Sequence, residues 1–123
     1  AYPYPIFTRG NFKTTRIPHI FQDIIYQTQS QILFGGYDHF RENPKHRYFK
    51  TEYNSAIHLN ESGTIQDIYH KHILIPFGET LPLGPLNAPI SDILPQVAFF
   101  AEGSTFPLFK GKKDITFIST ICY

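Results

Sequence analysis

Residues 51–79 read TEYNSAIHLNESGTIQDIYHKHILIPFGE, and this stretch decides how the rest of the chain is organised. Tyr53 to Leu59 and Thr64 to Tyr69 are short segments rich in β-branched and aromatic residues, with Ile57, Leu59, Ile65 and Ile68 as apolar anchors. Asn60-Glu61-Ser62-Gly63 between them is a run of turn formers, so the two segments are predicted to form a β-hairpin. The second strand leads into Tyr69-His70-Lys71 and then into the apolar run Ile73-Leu74-Ile75-Pro76-Phe77-Gly78-Glu79.

Upstream, Ile17, Ile20, Phe21, Ile24 and Ile25 recur at the spacing of one face of a helix, predicting an amphipathic helix over residues 18–30. Thr14 and Thr15 lie just before it, and Pro18 suits a first helical turn because its missing N–H would be unpaired there anyway. Gln31 to Phe34 then reads as a buried strand stopped by Gly35-Gly36. A helix followed directly by a buried strand implies a layered α/β fold. Residues 37–52 turn polar and charged (Asp38, Arg41, Glu42, Lys45, Arg47, Lys50) and read as an exposed loop around Asn43-Pro44.

Downstream, half of the ten prolines fall between Pro76 and Pro95, which excludes a long helix or a central strand there and leaves a loop. Ser104 to Phe109 and Asp114 to Ile121 flank Lys110-Gly111-Lys112-Lys113 as a second hairpin, whose last strand delivers Cys122. The expected sheet contains residues 31–35, 53–59, 64–70 and 114–121, with the 18–30 helix against it and Lys71 and Cys122 approaching each other across its edge.

At 123 residues, 41% hydrophobic and 16% aromatic, the chain has the material for one packed domain. Eleven basic and ten acidic residues are scattered rather than blocked, so the charge points to neither nucleic acid nor an anionic surface. No apolar run reaches the roughly 18 residues of a bilayer span, and Ala1 to Phe7 lacks the charged start of a signal peptide. There is no methionine, and the last apolar segment runs straight into Cys122-Tyr123, so the chain is expected to be an interior piece of a longer protein.

Cys122 follows the β-branched and aromatic run Ile115 to Ile121 and so would emerge at a strand's carboxyl end, where a thiol has backbone N–H groups nearby for an oxyanion. The plain alternative is a buried structural cysteine. As the single cysteine it excludes an intramolecular disulfide or a multi-cysteine metal site. Lys71, at the predicted strand end, is either a solvated charge or a fixed ammonium able to stabilise a tetrahedral intermediate and favour a nearby thiolate. Glu79 is its candidate ion-pair partner or an ordinary loop acid. His70 and His72 flank Lys71 and are read as facing opposite ways, so no shared metal is expected.

Tyr53-Asn54-Ser55-Ala56, Tyr69-His70-Lys71, Leu74-Ile75-Pro76-Phe77-Gly78-Glu79 with Pro82 nearby, and Ile121-Cys122-Tyr123 together resemble, in wording and order, the nitrilase-like domain of apolipoprotein N-acyltransferases. The resemblance spans about residues 32–123, with a weaker match at Ala1-Tyr2-Pro3. It implies a partial nitrilase-like (carbon-nitrogen hydrolase) αββα sandwich over residues 1–123, truncated at both ends. It also implies a Glu-Lys-Cys triad without a cofactor. Lys71 and Cys122 match two members, Glu79 matches a second, supporting glutamate, and Tyr123 the residue after the nucleophile. The general base would lie just before Ala1. The implied reaction moves an acyl chain from a phospholipid, through a cysteine thioester, to the N-terminal amine of a diacylated apolipoprotein. Its implied setting is the periplasmic side of the bacterial inner membrane, reached through helices outside this chain. Two rival readings stand beside it: a soluble nitrilase-superfamily amidase using the same triad, and a non-catalytic interaction module docking through the 37–52 or 76–95 segment.

Overall fold

The computed structural model describes residues 5–7, 17–40, 51–86, 90, 93 and 100–122. In chain order the elements are β1 (Pro5–Phe7), α1 (His19–Thr28), β2 (Ile32–Phe40), β3 (Thr51–Leu59), β4 (Ile65–His70), β5 (Phe109–Lys110) and β6 (Thr116–Phe117). Single 3-10 turns lie at Gly84–Leu86 and Lys112–Asp114. The first four strands form one sheet in the order β1-β2-β3-β4, with β1 parallel to β2 and the other neighbours antiparallel. This is a small mixed α/β fold.

The β3–β4 hairpin forms as its sequence dictates. Asn60 Oδ1 accepts hydrogen bonds from the backbone N–H groups of Ser62 and Thr64 at 3.0 and 3.1 Å, an Asx-type turn. Gly63 takes φ +74°, a value that costs a glycine nothing. The ladder pairs Ile57 with Ile68 and Phe34 with Ile57. Because side chains alternate along a strand, Phe34, Ile57, Leu59 and Ile68 share one face, and Ile17, Phe21 and Ile25 cover it. The Phe21 and Phe34 rings stack at 4.3 Å there.

On the opposite face Ala56 and Tyr69 pack with Phe109, joined by Phe117 and Ile121. The central strand β3 is therefore buried on both sides from Ser55 to Leu59. The β5–β6 pair is a separate two-stranded ribbon on this second face. Its turn also reaches the end of the helix. Gln29, in a left-handed conformation at the C-cap of α1, presents its carbonyl to the Lys112 ammonium.

Four expectations are corrected. The helix covers His19–Thr28 rather than 18–30, and only the Ile17–Phe21–Ile25 line packs inward, leaving Ile20 and Ile24 exposed. β2 does not stop at Gly35-Gly36, because the partner strand offers a continuous ladder from Ile32↔Leu59 to Phe40↔Thr51. The expected exposed loop 37–52 thus loses both ends to strands, Asp38 and His39 are buried, and residues 41–50 lie outside the described set. The expected strands 104–109 and 114–121 shrink to Phe109–Lys110 and Thr116–Phe117, and neither joins the main sheet. Lys113 and Asp114 turn left-handed, and with only a two-residue ladder available Ile115 and Ile118 remain exposed. Of the proline-rich 76–95 segment, residues 76–86, 90 and 93 are described, and they form turns without a long element. No helix among the described residues is long and apolar enough to cross a membrane.

His58 gives the fold a pH dependence. Its ring is 1% exposed, edge-on to Phe109 and Phe117, with Nε2 3.2 Å from Gln31 Oε1. Burial pushes the imidazole below its ordinary value, against the weaker upward pull of Asp67 and Glu61. The unfolded chain therefore takes up a proton more readily than the folded one. His58's contribution is complete above the unfolded value of about 6.5 and is lost as the pH falls below it toward the folded value. The urea midpoint should decline below about pH 6.5, and His58→Gln should flatten that part of the profile.

Candidate functional site

Lys71 follows directly on β4, and its backbone N–H extends the ladder by one bond, to Asn54 O at 2.8 Å. Strand alternation sends the His70 side chain to the helix face and the Lys71 side chain to the other, the face of Tyr69 and Ala56. There Lys71, 5% exposed, donates from Nζ to Glu79 Oε2 at 2.7 Å. The same oxygen accepts the Ile75 N–H at 3.0 Å, and Asn54 Nδ2 donates to Oε1 at 2.9 Å.

The wording Ile75-Pro76-Phe77-Gly78-Glu79-Thr80 has a structural purpose. The N–H groups of Gly78, Glu79 and Thr80 all point at Ile75 O, and Phe77 N–H donates to Thr80 O at 2.7 Å. The chain thereby reverses and returns the carboxylate to the lysine it left eight residues earlier, a turn of helical character. Phe77 adopts φ +65°, a strained value for a bulky residue, and its ring is 72% exposed.

A strap closes the site from the other side. Phe100 N–H donates to Glu79 O, Ala101 N–H to Glu52 O and Gly103 N–H to Lys71 O, at 2.8, 2.8 and 2.9 Å. The strap lies so close to β4 that a Cβ on Gly103 would sit 2.2 Å from His70 O, so only glycine fits. His72 then bonds Thr105 O at 2.8 Å and stacks on Phe106 at 3.8 Å. His70 instead pairs with Asp38 on the helix face. The two histidines do face apart, but through the bend at His72, since strand alternation alone would put residues two apart on one face. No group of three or more metal-ligating side chains occurs among the described residues.

Burial alone would raise the Glu79 carboxyl, yet the hydrogen bonds from Lys71, Asn54 and Ile75 and the lysine's charge outweigh it and hold the carboxyl below its ordinary value. A carboxylate so held is a poor general base, because its affinity for a proton is already spent on donors. Its role here is to fix the ammonium. Cys122 is exposed and carries a free thiol. The residue before it, Ile121, packs on the Ala56–Tyr69–Phe109 cluster, so the thiol follows a segment on the same sheet face as Lys71. No hydrogen bond joins it to Lys71 or Glu79 among the described residues, and Tyr123 lies outside them.

Sequence reading did not assign roles to Asn54, Asp38 or the 100–105 strap. Asn54 stood within a quoted motif but had no signal of its own, and the strap acts through backbone groups that any sequence carries. No family model matches the chain, and no curated protein matches it in sequence.

Glu79→Gln should remove the carboxylate charge that faces the buried ammonium and destabilise the fold by about 3–5 kcal/mol at neutral pH. Since the folded-state value of Glu79 is depressed, its contribution is present above the ordinary carboxylate range and disappears as the pH falls through the folded value. Acid unfolding curves of the two proteins should therefore converge at low pH. Curves that stay parallel would reject the pair as the source of the difference.

Proposed function

We propose that this chain belongs to the nitrilase-like catalytic domain of an apolipoprotein N-acyltransferase, with Cys122 as nucleophile and Lys71 as the oxyanion-stabilising cation. The observation that carries this reading is the ammonium of Lys71, held out of water by Glu79, with Asn54 and the Ile75 turn fixing that carboxylate. A lysine serving only solubility has no need of such a cage. The αββα sandwich belongs to the same proposal. A sheet with a helix on one face and Lys71 on the other is compatible with one α/β half of such a sandwich.

In this mechanism the Cys122 thiolate attacks the ester carbonyl of a phospholipid, and the C=O electron pair becomes an oxyanion facing Lys71. Collapse of the intermediate expels the lysophospholipid alkoxide, which takes up the proton that the general base removed from the thiol. The α-amine of a diacylated apolipoprotein then attacks the thioester, releasing the thiolate and losing its extra proton to the same base. Glu79, whose carboxyl three donors hold below its ordinary value, is given the role of fixing the ammonium instead. The resemblance assigns the role of base to a glutamate preceding Ala1.

Ile73, Phe77, Leu83 and Leu86 are 84, 72, 44 and 59% exposed in the segment that leaves Lys71. Exposed apolar side chains in the segment that follows Lys71 suit a lipid donor better than the small polar amide of a soluble amidase. An interaction module could use the same surface, but it has no use for the caged lysine.

The test uses the full-length protein that carries this chain. Incubated with phospholipid and no acceptor, it should gain an acyl group on Cys122 that hydroxylamine releases, and Cys122→Ser should abolish the adduct. Lys71→Ala should slow acylation by roughly a hundred- to a thousandfold, the usual loss for one oxyanion donor. Absence of the adduct together with hydrolysis of small amides would favour the amidase. Absence of both would favour the interaction module.

A further inference from the structure

On the helix face, directly behind Lys71, lies a second buried pair that the reaction above does not use. His70 Nε2 is 2.9 Å from Asp38 Oδ2, and Asp38 is 2% exposed. In the ladder Asp38 stands opposite Tyr53, and His70 stands opposite Ser55. The contact therefore passes over β3 and ties β2 to β4, two strands that share no backbone ladder. The imidazole lies flat on the Tyr53 ring, with centroids 4.0 Å apart and planes 14° from parallel. The other carboxylate oxygen, Oδ1, is buried and has no hydrogen-bond partner among the described residues, which leaves the imidazole as the visible anchor of the Asp38 side chain.

We infer that Asp38 and His70 are positioning residues for Lys71. With the imidazole clamped between Asp38 and Tyr53, the last residue of β4 has little freedom to rotate about the strand axis. Lys71, the next residue, is then committed to the opposite face, and its backbone is gripped by Asn54 and Gly103. The tie acts on the register and twist of the strand end, so its release moves the ammonium without removing any group that touches it. A shift of about an ångström in a fixed charge is enough to lower a rate by a hundredfold. This inference rests on Lys71 being the working cation.

The experiment measures lysine accessibility directly in the full-length protein, by reductive methylation with formaldehyde and cyanoborohydride and mass spectrometry of each lysine. Lys71 should react far more slowly than Lys112, whose side chain is 51% exposed. Asp38→Ala should speed Lys71 methylation by roughly tenfold while amide exchange across residues 55–59 stays unchanged. Asp38→Asn, which keeps a carbonyl to accept the imidazole N–H, should restore the slow rate. Unchanged Lys71 protection in Asp38→Ala, or failure of Asp38→Asn to restore it, overturns the inference. If Asp38→Ala does not fold, His70→Phe keeps the stack on Tyr53 and removes the tie, and Lys71 protection in that variant decides in the same way. Cys122 acylation is read in parallel and should fall with Lys71 protection. A wild-type protein that forms no acyl adduct rejects the acyltransferase reading, and methylation still judges the tie.

Discussion

An ammonium and a carboxylate leave water together only when nearly every donor and acceptor they carry finds a new partner. At the end of β4 the Glu79 carboxylate comes close to that condition, and the local architecture is arranged around its pairing with Lys71. The carboxylate receives three donors from three places in the chain: Lys71, Asn54 on the neighbouring strand, and the Ile75 backbone. The turn from Ile75 to Thr80 exists in a strained form, with Phe77 left-handed, because that path brings Glu79 back to the lysine. Strain of this kind persists only where the surroundings over-determine it.

The pair can be buried at all because β3 is covered on both sides. Ile57 and Leu59 face the helix, while Ala56 and His58 face the aromatic cluster of Tyr69, Phe109 and Phe117. One strand thus separates two packed faces, one covered by the helix and one by the aromatic cluster that leads on to the Lys71 pair. The division is repeated at the strand end, where consecutive residues His70 and Lys71 serve opposite faces with different acids, Asp38 and Glu79.

What could be read from the sequence was what local chemistry decides. Asn60 to Gly63 specified a turn through an Asx side chain and a glycine, and the hairpin followed. The lysine–glutamate pairing was legible as a spacing and a resemblance. Misreadings arose wherever a distant partner overruled local preference. Gly35-Gly36 looked like a stop, yet β3 supplies a ladder that holds both glycines in a strand. Asp38 and His39 looked like loop polarity, yet acid–imidazole contacts with His70 and Glu52 let them be buried. Ile115 to Ile121 looked like a core strand, but a strand is defined by its neighbour, and β5 offers only two residues of pairing. The nitrilase-like sandwich goes beyond these elements and stays with the proposal.

The contact between the Lys112 ammonium and the Gln29 carbonyl joins positions 83 residues apart. Contacts that close long loops form late, whereas the β3–β4 hairpin closes through a turn of a few residues and can form early. The last turn of α1 therefore depends for its cation on the docking of the β5–β6 ribbon. That order gives the two faces of β3 different histories. The helix face draws only on residues 17–68, while the aromatic cluster on the face that carries Lys71 also needs Phe109, Phe117 and Ile121 from the far end of the chain.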